Sequence, residues 1–150
     1  MIKYYYNYQE FISDTKELIQ KIDWEFDVII GIARGGLTLS HILGEYYNIR
    51  AVYSLNTIGY NDTKKLDNIE IFNIPNIENS LNVLIVDDIV DSGDTLKLVI
   101  DTLSAKYPTC IFKSASIFYK KTAIIEPNWS VKEAKEWIDF FWSVDCLKID

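Results

Sequence analysis

Apolar residues along this chain follow two patterns, which alternate from the N-terminus to about residue 119. In the first pattern, apolar residues recur at i, i+3 and i+4 positions, which indicates helices. The predicted helices cover residues 8–22, 39–47 and 96–103, and the last of them ends before Pro108. In the second pattern, short apolar runs indicate buried strands. The predicted strands cover residues 27–32, 51–55, 82–87 and 111–119.

The order of these elements predicts the fold class. Strands that are apolar on both faces and alternate with helices are typical of a parallel sheet covered by helices on both sides. We therefore predict an α/β fold with a parallel sheet. Residues 56–69 are polar, contain glycine and asparagine and have no periodicity, so we predict a long loop there.

The pattern changes from Lys120 onward. Three of the four tryptophans, Trp129, Trp137 and Trp142, lie in residues 120–150, which read as a small C-terminal subdomain. No linker composition separates this part from the rest of the chain. A length of 150 residues also suits one hydrophobic core, so we expect a single domain over residues 1–150.

Charge and composition restrict the expected classes of partner and the expected localisation. The net charge is −7 and the sequence pI about 4.7, with dispersed basic residues, so we expect no nucleic-acid partner. No run of 18 apolar residues occurs, so membrane contact is expected to be peripheral at most. The N-terminus lacks a secretory signal pattern, and the two cysteines are too few for a disulfide framework. We expect a cytoplasmic protein.

The first candidate site follows the first predicted strand, in residues 31–36 (Gly-Ile-Ala-Arg-Gly-Gly). The spacing is neither that of a dinucleotide-binding turn nor that of a P-loop. Paired glycines let backbone N–H groups approach an anion, and Arg34 adds a bidentate donor. The alternative is a plain strand-to-helix turn with a surface arginine.

The second candidate site follows the strand over residues 82–87. Four acids fall within eight residues, and they repel one another unless a cation or polar ligand offsets them. They are Asp87, Asp88, Asp91 and Asp94. Paired carboxylates suit Mg²⁺, and residues 92–95 open a helix whose N–H groups can hold a phosphate. The combination suits a metal-bound sugar phosphate. The structural alternatives are that Asp94 only caps the helix and that Asp87 lies at a solvated strand end.

Residues 84–96 (Leu-Ile-Val-Asp-Asp-Ile-Val-Asp-Ser-Gly-Asp-Thr-Leu) resemble the phosphoribosyl-diphosphate motif of type I phosphoribosyltransferases. Residues 32–36 match the pyrophosphate loop of that family, and residues 56–69 match its flexible catalytic loop. The resemblance covers essentially the whole chain. It implies a parallel-sheet core over about residues 24–119 and a small hood formed by residues 120–150 with the N-terminal segment.

The resemblance also implies roles for the donor site. The residues expected to bind 5-phosphoribosyl 1-diphosphate are Arg34, Gly35, Asp87, Asp88, Asp91, Ser92, Gly93, Asp94 and Thr95. Asp87 and Asp88 are expected to orient Mg²⁺, and Asp91 to act as general acid and base near purine N7. Lys64 or Lys65 is expected to hold the leaving pyrophosphate. In several relatives the peptide bond equivalent to Ala33–Arg34 is cis, so we predict a cis bond here.

The C-terminal part resembles bacterial xanthine-guanine phosphoribosyltransferases, on residues 117–120 and 136–142. The resemblance implies that Lys120 contacts the purine 6-oxo group, that Trp137 stacks on the ring and that Ile138 offers its carbonyl to the base. For Trp137, the alternative is core packing on a helix. For Lys120, the alternative is a solvated lysine, with Lys121 as the competing candidate for the contact to the base. An aspartate of this group is replaced by Ser143, so either Asp145 substitutes for it or the second metal contact is water-mediated.

The activity implied is purine salvage. It is Mg²⁺-dependent transfer of 5-phosphoribosyl from 5-phosphoribosyl 1-diphosphate to guanine, xanthine or hypoxanthine, giving the nucleoside monophosphate and pyrophosphate. The resemblance also implies a homodimer or homotetramer. A non-catalytic regulator on this fold and a transferase for another base are the alternatives, and the preference among the three purines stays open.

Overall fold

The computed structural model describes residues 1–59 and 69–148. In chain order the elements are β1 (Lys3–Tyr6), α1 (Tyr8–Lys21), β2 (Val28–Ala33), α2 (Leu37–Tyr47), β3 (Val52–Gly59), β4 (Ile69–Phe72), β5 (Asn82–Val90), α3 (Asp94–Lys106), β6 (Ile111–Tyr119), β7 (Lys132–Glu133), β8 (Trp137–Phe140), α4 (Phe141–Val144) and a 3₁₀ helix (Asp145–Lys148). Within these residues, no helix has the length and apolar character needed to cross a membrane.

The main sheet has the strand order β4-β3-β2-β5-β6-β7. All its neighbouring pairs are parallel except β3 with β4. The chain runs outward from β2 to β3 through α2, and outward in the other direction from β5 to β6 through α3. The carboxyl ends of β2 and β5 therefore lie side by side where the strand order reverses, which is where ligands bind in open α/β sheets. The predicted α/β class and parallel sheet are confirmed.

Alternate residues of the central strands enter two separate cores. Ile29 and Leu84 belong to a core that includes residues of α1 and α2, whereas Ile30 and Ile85 belong to a second core under α3. All four side chains are fully buried. Burial on both faces explains the unbroken apolar runs over residues 28–32 of β2 and 83–86 of β5, since all of these residues are buried.

The two ends of the chain meet in a second, two-stranded parallel sheet made of β1 and β8. Its register pairs Lys3 with Trp137 and Tyr4 with Ile138. α1 follows β1 at once, and its start is fixed by a capping box between Asn7 and Glu10. β7, in contrast, lies at the edge of the main sheet beside β6. Residues 120–148 are thus divided between the two sheets.

The predicted loop over residues 56–69 is wrong at both ends. Residues 56–59 continue β3, and Ile69 begins β4, with which β3 pairs in the antiparallel register Asn56↔Phe72 to Gly59↔Ile69. β4 is the edge strand, and the register of β3 with β2 ends at Asn56, so residues 57–59 pair with β4 alone and none of residues 56–59 is fully buried. The apolar signal of a buried strand is therefore weak there. The remaining residues of the predicted loop, 60–68, lie outside the described residues.

Candidate functional site

The loop between β2 and α2 makes a tight turn against the end of β5. Its Ala33–Arg34 peptide bond is cis, as predicted. Gly36 N donates to Ile32 O at 2.8 Å, and Leu37 N donates to Arg34 O at 3.0 Å. A Cβ on Gly36 would lie 2.3 Å from Val86 O. Only glycine allows this approach, so the loop between β2 and α2 contacts β5 directly.

Asp87 and Asp88 lie within β5, which continues to Val90, three residues beyond the predicted strand end. Asp87 Oδ1 accepts a hydrogen bond from Asp88 N at 2.9 Å, and Asp88 Oδ1 accepts one from Ile89 N at 2.7 Å. A Cβ on Gly35 would lie 2.6 Å from both carboxylate oxygens of Asp88. Backbone N–H groups of β5 therefore orient the carboxylates of Asp87 and Asp88, and Asp88 contacts the glycine loop, that is, the loop between β2 and α2.

The start of α3 completes this region. Gly93 is the N-cap with φ of 85°, so the interpretation of Asp94 as the cap is wrong. A Cβ on Gly93 would also lie 3.0 Å from Ile125 N. Ser92 Oγ donates to Asp94 Oδ2 at 3.2 Å and accepts from Asp94 N at the same distance. The Asp94 carboxylate is thus turned toward Ser92, and α3 begins directly after Gly93.

These elements surround a cavity of about 530 Å³, here called the donor cavity. It brings together all the predicted donor-binding residues except Asp94. The predicted residues that line it are Arg34, Gly35, Asp87, Asp88, Asp91, Ser92, Gly93 and Thr95. Lys64 and Lys65 lie outside the described residues. Thr57 of β3 also lines the cavity and escaped the sequence analysis because its segment read as loop.

A second cavity, of about 740 Å³, adjoins the first and is here called the hood cavity. The residues that line both cavities are Asp88, Ile89 and Asp91. The predicted base-contact residues Lys120, Trp137 and Ile138 line the hood cavity. Its remaining walls come from both ends of the chain, namely Met1, Ile2, Lys135, Glu136, Asp139, Phe140 and Ser143.

Trp137 lies on β8 and is 57% exposed, so the interpretation of core packing on a helix is wrong. Its Nε1 donates to Asp139 Oδ1 at 3.1 Å. Asp139 is a carboxylate of the cavity wall that sequence analysis missed. The available signal was its spacing, since residues two apart on a strand share a face.

Lys120 and Asp91 form an ion pair at the junction of the two cavities, with Lys120 Nζ 2.8 Å from Asp91 Oδ1. The Lys120 backbone is fixed as well, because its N–H donates to Val90 O at 2.9 Å. Lys121 instead pairs with Glu133 at 3.4 Å and lines neither cavity. The geometry therefore favours Lys120 over Lys121 as the cation that faces a ligand.

Ser143 lines the hood cavity, whereas Asp145 does not. Asp145 Oδ1 accepts a hydrogen bond from Tyr5 Oη at 2.8 Å, and this bond raises the pKa of Tyr5 above its ordinary value. Asp145 thus ties the C-terminal segment to β1. The arrangement gives no support to Asp145 as a substitute for the missing aspartate.

Comparison with known proteins gives a consistent result. The model of the family described as "Phosphoribosyl transferase domain" matches residues 3–149. The chain is 39% identical to the Helicobacter pylori xanthine-guanine-hypoxanthine phosphoribosyltransferase, with a TM-score of 0.89 and 97% of each chain covered. A purine phosphoribosyltransferase from Pyrococcus horikoshii is 28% identical, with a TM-score of 0.81 over 95% of this chain and 94% of that one. The xanthine-guanine phosphoribosyltransferase of Idiomarina loihiensis is 25% identical over 99% of this chain and 91% of its own length.

Proposed function

Because the chain belongs to the phosphoribosyltransferase family, we propose that it is a purine salvage enzyme that transfers 5-phosphoribosyl from 5-phosphoribosyl 1-diphosphate to a 6-oxopurine. One observation carries the proposal: two adjoining cavities share the wall formed by Asp88, Ile89 and Asp91. A donor in one cavity and an acceptor base in the other would meet at that wall. The names of the relatives, which are purine enzymes, support the same assignment.

The donor cavity offers separate groups for the two phosphate ends of the donor. The first amide groups of a helix have no partner within the helix and attract anions, so the start of α3 suits the 5′-phosphate. Ser92 and Thr95 add hydroxyl groups there. The Arg34 guanidinium and the Gly35 backbone suit the pyrophosphate. The contribution of Lys64 or Lys65 stays a prediction.

The acidic pair of β5 fits a magnesium ion held together with the donor. Within residues 1–59 and 69–148, no three His, Cys, Asp or Glu side chains converge on a point that would hold a metal by themselves. Mg²⁺ commonly uses one or two protein carboxylates and takes its other ligands from substrate phosphates and water. Asp87 and Asp88 would hold it, and the ion would neutralise charge on the leaving pyrophosphate.

In the proposed complex, an oxopurine contacts both Lys120 and Asp91 and so replaces the ion pair between them. A base that enters the hood cavity would offer its 6-oxo oxygen to the Lys120 cation and an N7–H to the Asp91 carboxylate. Each charged group then keeps a partner, which limits the cost of separating the pair. Adenine carries an amino group at position 6 and offers Lys120 no acceptor there. Trp137 and Ile138 would supply the stacking surface and the carbonyl.

The reaction follows from these positions. Purine N9 attacks C1′ as the bond from C1′ to the pyrophosphate oxygen breaks, and the electron pair leaves with the pyrophosphate. Asp91 accepts the N7 proton of the base as the N9–C1′ bond forms. Arg34 and the amides of the glycine loop stabilise the charge that develops on the leaving group. Positioning and charge stabilisation therefore supply most of the proposed catalysis.

The test is a turnover assay with labelled donor, Mg²⁺ and one base at a time. We expect nucleoside monophosphate from at least one of guanine, xanthine and hypoxanthine. Adenine should give about five- to 150-fold less, because an unpaired Lys120 in a closed site costs on the order of 1–3 kcal/mol. Efficient use of adenine, or of a pyrimidine, would contradict the proposal. Donor binding without turnover of any base would favour the regulator instead. The homodimer or homotetramer stays a prediction, which sedimentation would test.

A further inference from the structure

A buried carboxylate on α1 holds two segments of the hood together. Asp14 is 8% exposed, and its Oδ2 accepts a hydrogen bond from Tyr6 Oη at 2.6 Å. The same oxygen lies 3.1 Å from Lys132 Nζ. Burial raises the pKa of Tyr6 far above its ordinary value, so its phenol stays a donor. Asp14 lines neither the donor cavity nor the hood cavity.

The two segments that Asp14 holds are the ones that fix β8. Tyr6 belongs to β1, which lies alongside β8 and pairs Tyr4 with Ile138. Lys132 belongs to β7, which precedes β8 in the chain and is anchored to β6. β8 is therefore fixed laterally by one partner of Asp14 and through the chain by the other.

Close packing does not fix the start of β8 by itself. Ile138 lies between the hood cavity and another cavity of about 430 Å³, whose walls also include Tyr4, Phe118 and Lys132. The far end of β8 is packed more tightly, since the Phe140 ring lies 5.8 Å from the rings of both Tyr6 and Phe118. The positions of Trp137 and Ile138 thus depend on strand pairing with β1.

We propose that Asp14 is a positioning residue for the purine: it holds β1 and β7 so that β8 presents Trp137 and Ile138 to the base. The inference rests on the proposed function, because it assigns Asp14 an effect on one of the two substrates only. The Lys132 ammonium also lies 5.7 Å from the centre of the Tyr6 ring, so the three side chains form one contiguous group. Nothing in that group reaches the donor cavity.

The experiment compares substrate dependence in wild type and Asp14→Asn. Asparagine keeps the shape and can still accept from Tyr6, but it loses the charge that holds Lys132. We expect the KM for the purine to rise about tenfold, because small misplacements of positioning groups are costly, with donor KM and kcat within about twofold. Lys132→Met should give the same pattern, and the double variant should add little to either single one.

The matched control is Glu17→Gln on the same helix, which removes a carboxylate from an exposed pair with Lys21 and should leave both KM values unchanged. Equal rises in purine and donor KM would overturn the inference, as would no change in either. If Asp14→Asn does not fold, as judged by its melting curve, Lys132→Met and Tyr6→Phe decide by the same criteria. Wild-type turnover of an oxopurine tests the proposed function separately, since that result does not involve Asp14.

Discussion

The donor cavity and the hood cavity share a wall, yet they are assembled in different ways. Most of the donor cavity comes from two short chain segments, residues 32–35 and 87–96, each of which includes the carboxyl end of a central strand and the turn that follows it. The walls of the hood cavity come from residues as far apart as Met1 and Ser143. One cavity is therefore built by local turns on a rigid sheet, and the other by tertiary pairing between the two chain ends.

This difference predicts how each cavity responds to change. Substitutions in the loop between β2 and α2 or at the end of β5 act directly on the proposed donor site. The proposed purine site can also be disturbed from a distance, because β8 depends on β1 and on the Asp14 group that holds β1. If the two halves are independent in this way, donor KM and purine KM should respond to different substitutions.

The largest effect is expected at Asp91, where the two halves meet. Asp91→Ala removes the proposed base, so kcat should fall about 10²- to 10⁴-fold, while donor KM changes only a few-fold. Asp91→Asn is the matched comparison, because it restores the shape but cannot accept the proton, and it should be impaired to a similar degree. Steady-state kinetics with guanine measures both values. A kcat near that of the wild type in either variant would contradict the assignment.

A smaller, one-sided effect is expected at Lys120. Lys120→Ala removes the donor to the 6-oxo group, a loss of about 1–3 kcal/mol that corresponds to a rise of about five- to 150-fold in purine KM. Donor KM should stay within about twofold. Lys121→Ala is the control, since Lys121 pairs with Glu133 away from both cavities. The opposite result, a purine effect in Lys121→Ala alone, would transfer the role to Lys121.

The same contrast explains what could be predicted from the sequence. The strands β2, β5 and β6 and the helices α1, α2 and α3 were predicted correctly in type. These elements bury apolar residues in the two cores on either side of the sheet, which leaves strong apolar patterns in the sequence. The donor loops were predicted because their chemistry is contiguous. Arg34 and Gly35 are adjacent, and so are Asp87 and Asp88, and all four line one cavity.

The strands that were missed have weak local signals. β1, β4, β7 and β8 are each two to four residues long and lie at an edge of the main sheet or in the two-stranded sheet. β1 and β8 pair with each other from opposite parts of the chain, and β4 and β7 are too short for an apolar pattern to identify them. Lys120, Trp137 and Ile138 were predicted by family resemblance rather than by spacing. Thr57 was not predicted because its segment read as loop, and Asp139 was not predicted because β8, on which it shares a face with Trp137, was itself missed.

The smallest effect is expected for Gly35→Ala, which tests the proposed donor site. A Cβ at this position would lie 2.6 Å from both carboxylate oxygens of Asp88. Asp88 Oδ1 is also held by Ile89 N, so Gly35→Ala must displace a carboxylate that already has a backbone partner. The carboxylate ends a short side chain that can rotate, which relieves part of the crowding, so we expect donor KM to rise about three- to tenfold.

Purine KM, measured at saturating donor, should change less in Gly35→Ala than donor KM does, which is the reverse of the result expected for Lys120→Ala. An Asp88→Ala background sharpens the test, because it removes the group that the new methyl would meet. In that background Gly35→Ala should add little to the donor KM, since the two changes act through one contact. A full additional rise in donor KM in the Asp88→Ala background would show that Gly35 does not act on the donor through Asp88. Equal rises in donor KM and purine KM would show that the proposed donor site and the proposed purine site do not respond independently.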